Sequence, residues 1–174
     1  TRKAAAAEQL AIAQDALEPV CERVAADDPY ESYHDYGYRI IGYLRDNDLG
    51  AQAAYVYLSF DADGMLTDVA YTNQIDPEAS LADNLARTEQ DIATLCAPLN
   101  GLDISVATPD LLAPCSLSDE FKQAFLAGSL YEEISIKTED ESIKSYYAFD
   151  TEPKEEFDEY THPEIRLMLS AKKS

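Results

Sequence analysis

Alternation of apolar and polar positions is clearest in residues 55–77. One parity of this segment is apolar, with Val56, Leu58 and Phe60, as in a strand that buries one face. The following residues 61–64, Asp-Ala-Asp-Gly, predict a tight turn, because glycine enters the left-handed backbone region without steric cost. Apolar residues return on one parity at Met65, Val69 and Tyr71. We therefore expect a β-hairpin at the centre of the chain.

Two further β segments flank this hairpin. Residues 30–44 are rich in tyrosine, whose β-propensity favours a strand from about Tyr36, so the three strands would form an antiparallel meander. A second hairpin is predicted over residues 130–153, where Ile134 and Ile136 face Ile143, Tyr147 and Phe149. When the two predicted hairpins are aligned, Leu-Ser-Phe at residues 58–60 matches Ile-Ser-Ile at residues 134–136. A duplicated helix-hairpin unit is therefore one alternative.

Apolar residues at three- and four-residue steps predict two longer helices. The first starts near Ala4, kinks or restarts at Pro19 and ends by residues 27–29; its apolar positions are Leu10, Ala13, Leu17, Val20 and Val24. The second spans residues 78–99, with Asp76 as N-cap and Pro77 in the first turn. Its inner positions are Leu81, Leu85, Ile92, Leu95 and Leu99.

Shorter elements complete the pattern. Residues 103–107 read as a short strand, and Ser118 caps a short helix that buries Phe121 and Phe125 and ends at Gly128. A last helix is predicted from the capping box of Thr161 and Glu164, with Pro163 in its first turn. Its inward residues are Ile165, Met168 and Leu169.

These elements predict one α+β domain over residues 1–174. Its order is α-βββ-α-β-α-ββ-α: an antiparallel meander and a second β-hairpin packed against amphipathic helices. Residues 1–29 supply the N-terminal helix that packs on the sheet.

Charge excludes two classes of partner. The chain has 34 acidic and 13 basic residues and a net charge of −21, which repels nucleic-acid phosphates and anionic membrane surfaces. We therefore expect no nucleic-acid partner, and the sequence contains no run long enough for a transmembrane helix. The acidic residues are interpreted as a solvated surface. An ordered row of carboxylates, as in an acidic inhibitor or a nucleic-acid mimic, is the alternative.

Three cysteines fit no metal-ligand spacing. Cys96 lies in the last turns of the second helix, and Cys115 lies in a proline-bounded loop that returns near that end. A disulfide between them is expected if the domain is exported, with Cys21 as a buried free thiol. Three reduced thiols are the alternative.

The sequence predicts no catalytic residue, metal site or cofactor. Asp61, Asp63 and Asp68 resemble a fragment of a calcium loop, but the remaining EF-hand ligands are missing, so we interpret them as turn residues. His34 and His162 lack the spacing of a readable zinc site. A hydrolase assembled from distant residues would need one of these histidines in a deep pocket.

Tyrosines supply the candidate binding residues. Tyr55 and Tyr57 lie on the polar parity of the central hairpin, and Tyr36 and Tyr38 precede it. Tyrosine combines a stacking ring with a hydroxyl, so an exposed row of rings can hold a sugar, a peptide or a protein. The alternative is that a second layer covers these rings and makes them core.

An acidic helix-and-hairpin domain with an Asp-x-Asp-Gly turn resembles the ectodomains of secreted or lipid-anchored bacterial proteins. The resemblance assigns no role. Our first hypothesis is a non-enzymatic extracytoplasmic domain that binds a protein or carbohydrate ligand; a cytoplasmic location is the alternative. Because the chain begins with Thr1 and not methionine, we expect a preceding segment to have been removed, a secretory or lipoprotein signal being one alternative. The oligomeric state stays open.

Overall fold

The computed structural model describes residues 2–26, 30–31, 36–46, 52–100, 102, 111, 115–151 and 163–171. Within these ranges the helices are α1 (Arg2–Leu17), α2 (Leu81–Cys96) and α3 (Asp119–Leu126), and a 3₁₀ turn, Ala97–Leu99, follows α2. The strands are β1 (Arg23–Ala26), β2 (Tyr30–Glu31), β3 (Tyr36–Arg45), β4 (Ala54–Asp61), β5 (Leu66–Gln74), β6 (Tyr131–Lys137), β7 (Ile143–Asp150) and β8 (Glu164–Ala171).

The strands form one antiparallel sheet in the order β1-β3-β4-β5-β8-β7-β6, and β2 also pairs with β3. The predicted α+β class is confirmed, with helices and hairpins packed together. The helices contribute Leu17, Leu85, Ile92, Phe121 and Phe125 to a single hydrophobic core with the buried face of the sheet.

The central hairpin has the predicted alternation. Val56, Leu58 and Phe60 are almost completely buried, whereas Tyr55 and Tyr57 are half-buried on the opposite parity. We call the face of the sheet that packs on the helices the inner face and the opposite one the outer face. In β3, Gly42 lies on the inner face, where a Cβ atom would come within 3.1 Å of both Leu17 and Cys21. Its missing side chain lets α1 approach the sheet closely.

The predicted C-terminal helix is wrong, because residues 164–171 form strand β8. Ile165, Leu167 and Leu169 are buried on alternate positions, a period of two that the helical reading of Ile165, Met168 and Leu169 overlooked. β8 inserts between β5 and β7. Hydrogen bonding on both of its edges outweighs the local capping-box signal, because tertiary pairing overrides propensity in short segments.

The N-terminal helix also ends earlier than predicted. Its inner positions Ala13 and Leu17 are confirmed as core, but α1 stops at Leu17 and Val24 lies in β1. Proline restricts the residue before it and cannot donate to the helical ladder, so Pro19 ends the helix instead of kinking it. The segment beyond it is then free to pair with β3.

The caps of the other two helices were predicted with mixed success. Ser80, and not Asp76, caps α2, since its hydroxyl accepts a hydrogen bond from the Asp83 amide at 3.1 Å. The predicted cap of α3 is confirmed: the Ser118 hydroxyl accepts from Phe121 N at 3.2 Å. Gly128 follows α3 with φ of 83°. The expected strand over residues 103–107 lies outside the described residues.

Each hairpin turn contains one residue at positive φ whose amide donates to the carbonyl three residues earlier, but the second loop is longer and has a different residue at the strained position. In the first, Gly64 has φ of 82° and its amide donates to Asp61 O at 3.0 Å. In the second, Glu141 has φ of 57° and its amide donates to Thr138 O at 2.8 Å. The Asp140 carboxylate accepts hydrogen bonds from Ser142 and Thr138, which lower its pKa to about 2. Duplication of the two hairpins stays a prediction.

The two turns make opposite predictions on substitution. Gly64→Ala should lower the free energy of unfolding by about 1 kcal/mol, because a Cβ atom is strained at positive φ. Glu141→Gly should raise it by roughly 0.5 kcal/mol, since relief of that strain exceeds the entropic cost of glycine. Urea unfolding measures both, with Glu139→Gly as the control. Equal destabilisation by Glu139→Gly and Glu141→Gly would contradict this account of the turn.

Candidate functional site

The candidate site is the outer face of the sheet. Cross-strand pairing places Tyr43, Tyr55, Thr72 and Arg166 in one row across β3, β4, β5 and β8. A second row consists of Ile41, Tyr57, Ala70, Met168 and Tyr146. The described helices all pack on the other side. Ile41 and Thr72 are nevertheless buried, Arg166 is exposed, and the other side chains of the two rows are half-buried, with aromatic residues towards both ends.

Three tyrosines of these two cross-strand rows contact one another. We call this chain of contacting rings, Tyr43, Tyr55 and Tyr57, the tyrosine row. The Tyr43 and Tyr55 ring centroids are 5.5 Å apart at an angle of 50°, and Tyr55 meets Tyr57 edge-on, also at 5.5 Å. Such spacings are those of favourable aromatic pairs. Burial raises the pKa of Tyr55, and a hydrogen bond with the Thr72 side chain partly offsets this increase. The row is thus a set of half-buried rings in contact with one another.

Two arginines flank the tyrosine row. The Arg23 guanidinium carbon lies 4.2 Å from the Tyr43 ring centroid, and that of Arg39 lies 4.8 Å from the Tyr57 centroid. These are cation–π distances. Arg23 also pairs with Asp46 at 2.8 Å. A chain with a large negative net charge therefore presents basic groups beside its aromatic row.

The opposite end of the outer face has a second tyrosine group. Glu133 accepts hydrogen bonds from Tyr131 and Tyr146, which lower the pKa of Glu133. The Glu133 carboxylate raises the pKa of Tyr131 to about 12. Arg166 lies between the two groups and pairs with Glu164 at 2.5 Å. The outer face thus combines tyrosine hydroxyls with charges of both signs.

The four predicted binding tyrosines occupy different places. Tyr55 and Tyr57 lie on the outer face, as strand parity predicts. Tyr38 is only 7% exposed and belongs to the core. Tyr36 begins β3, but its side chain lies outside the described part of the structure, as do His34 and His162.

The site also contains four residues that the sequence pattern did not identify as candidates: Tyr43, Arg23, Arg39 and Arg166. In β3 both parities carry apolar residues, with Ile40 on one and Ile41 on the other, so pattern alone did not decide which tyrosines face outwards. Arg23 and Arg166 were assigned to wrong elements. One signal was present in the sequence. Arg39 is a charged residue on the same strand parity as Tyr43, which indicates that this parity faces outwards.

A buried polar network lies on the inner side, where α2 crosses the sheet. Asp91, 6% exposed, accepts from Arg45 at 2.5 and 3.1 Å and from Asn73 at 2.5 Å. Arg87 donates to Gln74 O at 2.5 Å, and its Nε has no partner among the described residues. Because Asp91 is satisfied by these donors, the network fixes α2 on β3 and β5.

Two of the three cysteines are paired, and Cys21, predicted as a buried free thiol, is half-buried. The structure joins Cys96 to Cys115 in a disulfide that connects the end of α2 to the segment before α3. The Tyr71 hydroxyl lies 3.2 Å from Cys115 Sγ, and burial raises the pKa of Tyr71. Cys21 is free, and burial raises the pKa of its thiol to about 11.

The described residues contain no group of three or more His, Cys, Asp or Glu side chains placed to hold a metal ion. None of the described helices has the length and apolar character needed to cross a membrane. Comparison of the chain with protein-family models, curated proteins and solved structures found no match. The candidate site consequently depends on the geometry of this chain alone.

The disulfide has a direct chemical test. Protein unfolded without reductant should take up one alkyl group, at Cys21, and protein unfolded with reductant should take up three. Reduction should lower the free energy of unfolding by about 3 kcal/mol, since the cross-link restricts the unfolded chain. In the control Cys21→Ser, unreduced protein should take up none. Three alkylated thiols in unreduced wild-type protein would contradict the pairing.

Proposed function

We propose that this chain is a non-enzymatic extracytoplasmic binding domain that holds a partner protein against its outer face. The observation that carries the proposal is the tyrosine row with its two flanking arginines. Tyrosine and arginine are enriched at the energetic centres of protein interfaces, where their large side chains make both apolar and polar contacts. A carbohydrate that stacks on the same rings is the alternative ligand.

The form of the surface favours a protein over a small molecule. Small ligands need a concave pocket that encloses most of their surface, whereas the tyrosine row lies on a broad strand face with half-buried rings. The rings already contact one another, and ordering them on binding therefore costs little side-chain entropy. The Arg23 and Arg39 guanidinium groups lie over these rings and would extend the surface that the partner contacts.

The disulfide supports the extracytoplasmic location. Disulfides persist in secreted proteins and at cell surfaces and are rare in the cytosol, where thiols are kept reduced. Cys96 and Cys115 are paired here, and the cross-link lies in the core beside the sheet. The strong negative charge of the chain fits a solvated extracellular surface.

Substitution of the tyrosine row tests the proposal. The double variant Tyr55→Ser, Tyr57→Ser should weaken binding to the partner by about 30-fold or more, because truncation of a central aromatic costs at least about 2 kcal/mol. Candidate partners are obtained by capture from extracytoplasmic fractions and from a glycan array. Each is then titrated against wild type and variant by calorimetry.

A matched control separates binding from stability. Glu89→Ser, Gln90→Ser changes two exposed residues of α2 on the opposite layer and should leave affinity unchanged. Thermal melting of both variants checks the fold. Equal affinity in the tyrosine variant, or its loss of folded structure, would overturn the proposal.

A further inference from the structure

The free edge of β6 is a surface distinct from the tyrosine row, and its features are those of a self-association site. Among the described residues β6 pairs only with β7, so one of its edges has unpaired backbone groups. The large apolar side chains that are exposed in the described chain all lie on or beside this strand: Leu126, Leu130, Tyr131 and Ile136, between 43% and 54% exposed. Unpaired edges with apolar side chains are templates for pairing with another strand.

The direction of the backbone groups follows from the hairpin ladder. Thr138 N donates to Ile143 O at 3.0 Å, and Thr151 N donates to Leu130 O at 2.8 Å. Hydrogen-bonded and non-hydrogen-bonded pairs alternate along an antiparallel ladder. Even-numbered residues of β6 therefore bond to β7, and Glu133, Ser135 and Lys137 direct their N–H and C=O groups to the free edge.

The side chains of this edge complement a copy of themselves. In an antiparallel pairing centred on Ser135, each Glu133 lies opposite Lys137 of the other copy, and each Ile134 lies opposite Ile136. Residues 133–137 read Glu-Ile-Ser-Ile-Lys, so one register joins opposite charges on the outer face and isoleucines on the inner face. Centring on Ile134 would instead place Glu132 opposite Ile136.

We propose that two copies of this chain associate through β6, which extends the sheet across a two-fold axis at Ser135. The contact is isologous, as most protein dimers are. Leu126 and Leu130 lie beside it, since α3 packs against β6, and they add apolar area to the backbone hydrogen bonds. The surface is separate from the tyrosine row, so the dimer does not depend on the proposed binding function.

Net charge sets the conditions for observing the dimer. Each copy carries −21, and this long-range repulsion opposes association at low ionic strength. At about 0.15 M salt the Debye length is about 8 Å, which screens the repulsion more than the close Glu133–Lys137 contacts. Sedimentation of wild-type chain from micromolar to submillimolar concentration should show a shift to twice the monomer mass.

A charge exchange tests the register. Lys137→Glu and Glu133→Lys should each weaken self-association by about ten-fold, because each creates two like-charged cross-strand pairs in the dimer. An equimolar mixture of the two variants should associate again, since every Glu then faces a Lys. Arg23→Glu makes the same charge change at the opposite edge of the sheet and should dimerise like wild type.

A backbone variant provides the second test. Ser135→Pro removes an N–H that points to the free edge and leaves the ladder with β7 intact, so it should be monomeric with a wild-type far-ultraviolet spectrum. The Tyr55→Ser, Tyr57→Ser variant should remain dimeric. A wild-type chain that stays monomeric at all concentrations, or a dimer unaffected by Lys137→Glu and Ser135→Pro, would overturn the proposal.

Discussion

The pairing of β5 with β8 is the interaction that makes this chain one sheet. β1 to β5 form one set of strands and β6 to β8 form another, and the contact from Asp68–Ser170 to Gln74–Glu164 joins them. On its inner side it brings Tyr71 against Leu167 and Val69 against Leu169, all nearly completely buried. Burial of this area on folding offsets the entropic cost of recruiting a strand from the end of the chain.

The same pairing creates the candidate site. Once β8 is in place, helices cover the inner face, and the paired strands extend the outer face from Arg23 on β1 to Glu133 on β6. The parity of every strand then decides which side chains line it. Tyr55 and Tyr57 face outwards because Val56, Leu58 and Phe60 are needed in the core, and a change of one residue in register would exchange the two sets.

The fold was predictable where local chemistry and long-range packing agree. Gly64 in its turn, the Ser118 cap and the alternation of β4 each require one structure by local physics, and these features were predicted correctly. At residues 164–171 the two levels disagree, because Ile165, Met168 and Leu169 fit a helix and Ile165, Leu167 and Leu169 fit a strand. Pairing with the edges of β5 and β7 decides between the two structures. No local sequence pattern predicts that these edges are available.

The candidate site was predictable to the same extent. Tyr55 and Tyr57 followed from parity in an unambiguous strand. Tyr38 was misleading because both parities of β3 are apolar, so its burial depends on which face α1 covers. The contributions of Arg23 and Arg166 require β1 and β8, which exist as strands only through pairing partners that are distant in sequence.

Cross-strand disulfide formation tests the position of β8 most directly. Ala70 and Met168 are paired on the outer face. The Ile75 N to Pro163 O bond of 2.8 Å places them at a non-hydrogen-bonded site, where Cα atoms lie about 4.5 Å apart and a disulfide fits. In a Cys21→Ser background, Ala70→Cys with Met168→Cys should oxidise to a new cross-link, identified by peptide mapping without reductant.

The control pair, Ala70→Cys with Ala148→Cys, lies two strands apart, about 10 Å or more, and should remain reduced. The account predicts a cross-link in the first variant alone. Two free thiols in the oxidised Ala70→Cys, Met168→Cys protein would contradict the central place of β8, and with it the extended outer face.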